Sequence, residues 1–409
     1  VTDMVKEPLV AGGRAVDRFL AADPFLRDVH PVLAQARAET PVAEVVTTDD
    51  GGTTTRCYYV FDYSTVRTVL SDTGRFSNIA YAPQMRQLAG RTMLEMDPPS
   101  HHRYRSLVAP FFRSRLLTGR HSGTLHDIAA ELIDRLCSRG RVELLSELTL
   151  PFPLRALAAC VGIPDSDYEF FRDRASRMID VHLPWPRVAT ATEELSGYFT
   201  ELIAARRRSA SSSGLIDDLI AARRGDDALS DEEIRAFLML LIPAGIETTH
   251  RVSSTLVFAL LRHPEQLARV RADRSLISVA FDEALRWEPA VAGAMRIAKT
   301  HTRLGSVRIP AGSLVYASLV AANRDPGHYS EPDRFDIFRD GPQHLTFGFG
   351  PHMCIGMHLA RIEVDVLLNA LLDRLPGLRF DPDQPEPFIH GKIYRVPNRL
   401  DLIFDTDRP

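Results

Sequence analysis

Lysine is almost missing from this sequence. Lys6, Lys299 and Lys392 are the only lysines among 49 basic residues, so arginine carries nearly all the positive charge. That bias is a codon signature of a GC-rich genome and says nothing of function. Cysteine is scarce as well: Cys57, Cys137, Cys160 and Cys354 lie scattered with no C-x-x-C pair. The pattern excludes a disulfide framework and a zinc site and points to a reducing compartment. Neither charge sign dominates, with a formal net charge of −4 over 409 residues, so a basic footprint for nucleic acid is absent. No apolar run approaches the roughly 18 residues of a membrane span. The opening VTDMVKEPLV lacks a signal-peptide core. A soluble, cytoplasmic protein with no membrane or nucleic-acid partner is expected. Also missing are a nucleotide-binding fingerprint, an iron–sulfur cysteine set and any internal repeat.

What remains is an ordinary globular composition, 45% hydrophobic and 25% charged, and one unusual stretch. Residues 345–361, LTFGFGPHMCIGMHLAR, set Phe347, Gly350, Cys354 and Gly356 at the spacing F-x-x-G-x-x-x-C-x-G. Glycines at 348, 350 and 356 permit positive φ and close approach of the backbone to a flat ligand. Beyond Cys354, Ile355, Leu359, Ile362, Val366, Leu367 and Ala370 recur at helical spacing. The sulfur therefore lies near a helix N-terminus, where the dipole and unpaired N–H groups favour the metal-binding thiolate. A lone cysteine is most often a small buried hydrophobe; this loop argues for an axial thiolate. It resembles the haem-binding loop of the cytochrome P450 family, whose haem is held by a cysteine thiolate.

The longest helix signal begins at Ser230, where S-D-E-E forms a capping box with Glu233. Apolar character runs to about residue 261, roughly 48 Å of helix at 1.5 Å per residue. Inside lies PAGIETT, residues 243–249, in which Pro243 removes a backbone bond, Gly245 weakens the helix, and Thr248 and Thr249 can bond back to the main chain. Local unwinding is predicted here. By themselves Glu247 and Thr248 read as a polar patch. The resemblance makes Ala244, Gly245, Glu247, Thr248 and Thr249 the family's oxygen-activating motif, with Glu247 and Thr248 delivering protons and Ala244 beside the haem. Pro243 and Ile246 depart from the usual residues of that motif.

Other segments acquire roles by the same resemblance. The helix signal after Pro98 and Pro99 carries His101 and Arg105 on one face, and these match the residues that reach the haem propionates, as do Arg296 and His352. In FDEALRWEP, Glu283 and Arg286 match the E-x-x-R pair, with Arg334 as the third partner of a structural triad. Met239, Val291, Ala292, Gly293, Ala294 and Ile393 are candidate substrate-lining positions, a mostly apolar set. Arg103, Arg113 and Arg115 are candidate docking arginines for an acidic electron donor.

The hydrophobic pattern predicts a β-hairpin over 41–63, with DDGG at its turn. It also predicts short strands near 307–309 and 314–317, and helices over 64–71, 121–138, 154–161, 165–180 and 190–208. An irregular stretch at 76–92 and the proline-bounded loop around Trp185 are candidate lids. SASSSG, 209–214, is too short to mark a domain boundary. The expectation is one mainly α domain over 1–409 with a small β portion, holding haem b between the long central helix and the cysteine loop. By resemblance it is expected to insert one oxygen atom from O2 into a small, largely apolar organic substrate, in natural-product biosynthesis, with electrons from a ferredoxin and ferredoxin reductase. Two rivals stay open: a haem-thiolate enzyme of another outcome (peroxygenase, oxidative coupling, nitration), and a non-catalytic haem sensor or recruitment module.

Overall fold

Alternating β-branched and aromatic side chains make Val42–Thr48 and Thr54–Val60 pair antiparallel, Val45 facing Cys57. Leu314–Ser318 joins Thr54–Val60 in parallel, with Leu314 opposite Cys57, and pairs on its other edge with Gly293–Ala298. Phe76–Ser77 completes the five-stranded sheet. These elements come from a computed structural model, which describes residues 14–23, 26–48, 54–180, 182–208, 214–341 and 343–406. The expected hairpin turn and all but the last residue of the 209–214 connector fall outside that set.

The chain divides into two compact units. The first comprises Val1–Tyr81, Thr255–Cys354 and Pro387–Asn398; the second comprises Ala82–Ser254, Ile355–Glu386 and Arg399–Pro409. In the first, the sheet buries Tyr58, Val60 and Val315 against Val66 and Leu70 of the helix Tyr63–Ser71. Burying each such side chain contributes about 1.5–3 kcal/mol. The second is helical, built largely on Ser114–Asp134, Pro151–Val161, Tyr168–Ile179, Trp185–Arg208, Asp231–Leu241 and Met357–Arg374. Its core includes Phe171, Phe199, Ile216, Phe237 and Ile246. A three-stranded sheet, Arg379–Phe380, Asp401–Ile403 and Arg141–Glu143, lies in the same unit.

Three elements differ from their sequence expectations. The helix expected from 190 begins at Trp185, because Pro186 sits in the first turn, where a missing N–H leaves no bond unmade. The stretch expected to be irregular contains a 3₁₀ turn, Asn78–Tyr81, and a helix, Ala82–Leu88. The helix expected over 121–138 spans Ser114–Asp134.

Candidate active site

In the first unit, the cysteine loop is tied down by its own backbone and by one asparagine. Cys354 N donates to Phe347 O at 2.7 Å, Gly348 N to Leu345 O at 2.8 Å and Met353 N to Gly350 O at 3.0 Å. Asn323 Oδ1 accepts from Leu345 N at 2.8 Å, and its Nδ2 donates to Thr346 Oγ1, also at 2.8 Å. Gly348 and Gly350 have φ of 74° and 79°, the left-handed region that a side chain resists. A Cβ on Gly350 would lie 2.9 Å from Ser71 Cα. Gly356 does not need that freedom: its φ is −84°, and it serves as N-cap of Met357–Arg374. The loop leaves Cys354 exposed, whereas Cys57 and Cys160 are buried. Burial pushes the Cys57 thiol up to about 12 and raises that of Cys160, so neither forms a thiolate.

The asparagine links this loop to a buried ion pair. Arg286 donates to both Glu283 oxygens, at 2.7 and 2.8 Å, and to the carbonyls of Asn323, Pro332 and Arg334. The third member of this cluster, and its second cation, is Arg339, whose Nε donates to Glu283 Oε1 at 3.3 Å. The expected Arg334 is therefore corrected. It gives Arg286 only its carbonyl, while its guanidinium is 59% exposed and pairs with Glu331.

In the second unit, the predicted unwinding is a wide, π-helical turn, Ile242–Glu247, between Asp231–Leu241 and Thr248–Arg262. Ser230 and Glu233 form the expected capping box. Thr248 Oγ1 donates to Ala244 O at 2.6 Å. Ala244 is exposed, and nothing lies within 4 Å of a Cβ built on Gly245. The carboxylate of Glu247 is ion-paired with Arg251 one turn on, both side chains nearly buried. Sequence reasoning missed Arg251, although a glutamate four residues before an arginine was the available signal.

A buried polar cluster follows the motif. His250 Nδ1 lies 3.0 Å from Thr149 Oγ1, which lies 2.8 Å from Ser254 Oγ. Burial, and then Arg251, pull His250 down to about 3. Burial pushes Glu363 up to about 8 against a hydrogen bond from Thr249. His250 is depressed, so its contribution to stability is complete above pH 6.5 and is lost as pH falls toward 3. Glu363 is raised, so its contribution is complete below pH 4.5 and is lost as pH rises toward 8. Each slope is about 1.4 kcal/mol per pH unit. Above pH 6.5 Glu363 acts alone of the two and costs about 2 kcal/mol by pH 8. Glu363→Gln, neutral at every pH, is expected to remove that fall. Denaturant titrations of parent and variant at pH 6.5 and 8 check it; equal pH dependence in both contradicts it.

The remaining candidates divide by burial. His101 is buried and lowered to about 4 by burial, then by Arg105 and His102, so it offers one neutral N–H, while half-buried Arg105 brings the charge. Arg296 is buried, and His352 is half-buried. Phe347 packs 6.2 Å from Phe281 and 5.5 Å from His344. Of the proposed lining, Met239 is wholly buried in the helical core and Ala292 is buried in the first unit with Leu33 and Val320, so neither presents a free face. Val291, Gly293 and Ala294 are half-buried, and Ile393 is exposed. Arg103 is not a free docking charge, for it is held by Asp227 at 2.8 Å and Glu233 at 2.6 Å. Arg113 is exposed, and the Arg115 side chain lies outside the described residues.

An exposed thiol on a loop whose Gly350 packs against the backbone of Ser71 has the donor chemistry that a thiolate-held haem b requires, and the class this fits is that of the haem-thiolate proteins. Comparison with known proteins settles the family. The Cytochrome P450 family pattern matches residues 179–404. The chain is 35% identical over 384 residues to the cytochrome P450 monooxygenase PikC of Streptomyces venezuelae, covering 90% of each. It is 32% identical to the cyclomarin C epoxidase CymV of Salinispora arenicola, covering 89% of each. The solved structure of cytochrome P450 CYP109Q5 from Chondromyces apiculatus superposes with a TM-score of 0.81 at 31% identity, over 93% of this chain and 97% of that one. The chain belongs to the cytochrome P450 family. It is a monooxygenase with haem b as cofactor, and it works with O2, a small-molecule substrate and redox partners. No helix among the described residues is long and apolar enough to cross a membrane.

Proposed function

We propose that this single-domain enzyme oxygenates a small, largely apolar natural product in the cytoplasm, taking electrons from a ferredoxin and its reductase. Among its relatives, the epoxidase named for cyclomarin C supports a natural product as the substrate class. The absence of a nicotinamide or flavin fingerprint calls for an external donor. When bound, haem b supplies the iron at which O2 is activated. Cys354 would hold the iron through its thiolate, and His101, Arg105, Arg296 and His352 would hold the haem carboxylates, where an arginine fork matches a carboxylate. Phe347 and Gly356 would shape the loop around the sulfur, and the exposed Ala244 would lie beside the haem. Val291, Gly293, Ala294 and Ile393 bound the substrate.

The observation that carries the oxygenase reading is the wide turn at Ile242–Glu247. A hydroxyl both donates and accepts. Thr248 Oγ1 now donates a hydrogen bond to Ala244 O, and by swinging off that carbonyl its hydroxyl would be free to donate into the site. Glu247, a carboxylate while paired with Arg251, would have to turn toward water, take up a proton there and then pass it on, as an acid–base group does when within hydrogen-bond reach. A sensor needs neither group.

Thr248→Ala is expected to keep haem, thiolate ligation and substrate binding while oxidising NADPH to hydrogen peroxide with much less product. Product formed per NADPH, in parent and variant with the same ferredoxin and reductase, checks this. Undiminished coupling removes Thr248 from the mechanism.

A further inference from the structure

Two residues beyond Arg286 the first unit buries another carboxylate, Glu288, which is 4% exposed. Its Oε2 accepts from Arg395 Nε at 2.6 Å, and its Oε1 meets His30 Nε2 at 2.5 Å and Arg324 Nη2 at 3.1 Å. Burial opposes ionisation, yet Arg395, His30 and Arg324 hold this carboxyl well below the usual range. A buried ion cluster is weak evidence of stability for its own sake, since apolar side chains of like volume often serve as well or better. What it specifies is geometry.

Here it joins two pieces of chain far apart in sequence. Arg395, 1% exposed, also donates to Gly391 O at 2.7 Å, closing the turn 391–395. That turn is knitted to the segment after Glu288: Ala292 N donates to Ile393 O at 2.8 Å, Arg395 N to Ala290 O at 3.1 Å, and Val291 bridges to Tyr394. Its far side is fastened too. Gly391 N donates to Leu26 O at 3.2 Å, and Lys392 Nζ donates to Leu20 O at 3.0 Å. Gly391 stands at φ 103°, where a Cβ would sit 1.9 Å from Tyr394 O. A turn held on every polar side displays one apolar side chain, Ile393, 42% exposed.

We propose that Glu288 is a positioning residue for substrate recognition: through Arg395 it sets Ile393 against Val291, Gly293 and Ala294, so that two remote segments present one rigid apolar wall. This rests on those residues bounding the substrate, as proposed above. Glu288 touches no substrate; it decides where the wall stands and hence which apolar shapes fit.

The test uses haem-loaded enzyme and a series of 1-alkylimidazoles, from 1-methyl to 1-octyl, whose binding is read from the Soret shift. In the parent, affinity rises with chain length. Ile393→Ala flattens that rise if Ile393 forms part of the wall. Glu288→Gln is expected to weaken the longest members on the order of tenfold, the scale set by a few misplaced apolar contacts, and to leave 1-methylimidazole unchanged. It should also speed hydrogen exchange over 289–295 and 391–397. If Ile393→Ala changes the series while Glu288→Gln alters neither the series nor the exchange, the role of Glu288 is overturned. If Ile393→Ala changes nothing, the lining assignment falls and the inference falls with it. Arg395→Gln, which leaves Glu288 beside His30 and Arg324, decides the same outcomes if Glu288→Gln fails to load haem.

Discussion

Reduced enzyme exposed to carbon monoxide is expected to show the red-shifted Soret band of thiolate ligation, and Cys354→Ala to lose that band together with all monooxygenase activity. No other cysteine can stand in for it. Cys57 and Cys160 are buried thiols whose ionisation burial opposes, and Cys137 is half-buried with its sulfur near Arg374 O. The substitution is also gentle on the fold. Cys354 N bonds to Phe347 O through the backbone alone, and an exposed side chain has little packing to lose. Loss of the band with a melting temperature close to the parent's assigns the ligand. A variant that keeps the band removes Cys354 from the iron.

The second large effect is on folding. Arg286→Ala is expected to yield little soluble, haem-loaded protein. Glu283 would lose its bidentate partner, and the carbonyls of Asn323, Pro332 and Arg334 would each lose a donor. Breaking a buried pair from one side costs on the order of 3–5 kcal/mol, a large share of a domain's stability. Lysine should not rescue it, because one ammonium cannot reproduce the fork that reaches five acceptor atoms. Arg334→Ala serves as the contrast. Its side chain is exposed, and its carbonyl survives the change, so its effect should stay within about 0.5 kcal/mol. Arg339→Ala should fall between, since Arg339 meets Glu283 at a single oxygen. Urea titration of the three variants orders them; an Arg334→Ala loss as large as that of Arg286→Ala would restore Arg334 to the cluster.

That contrast shows where sequence stops informing. Glu283 and Arg286 share one helix, and their contact follows from helical spacing. The second cation is selected by the path of the coil after Glu331, which turns the Arg334 carbonyl inward and brings Arg339 round to Glu283; no local pattern encodes that path. The wide turn was legible because Pro243 and Gly245 weaken a helix wherever they stand. The start of the helix at Trp185 was misread because proline breaks a helix in its middle and fits its first turn, and the prolines fell on that boundary. Glu363 and Glu288 gave no signal at all. Each is an ordinary carboxylate until tertiary packing removes water from it.

The parallel pairing of Leu314–Ser318 with Thr54–Val60 has a consequence during synthesis. The first hairpin leaves the ribosome with the Thr54–Val60 edge bare, and the strand that covers it is separated from it by about 250 residues of chain. At bacterial elongation rates that edge waits on the order of tens of seconds for its partner. The backbone of Cys57–Val60, later paired with Leu314–Ala317, is until then the kind of row on which a second nascent chain can pair. Dense polysomes are thus where such pairing is expected, and slower initiation is expected to raise the yield of native protein.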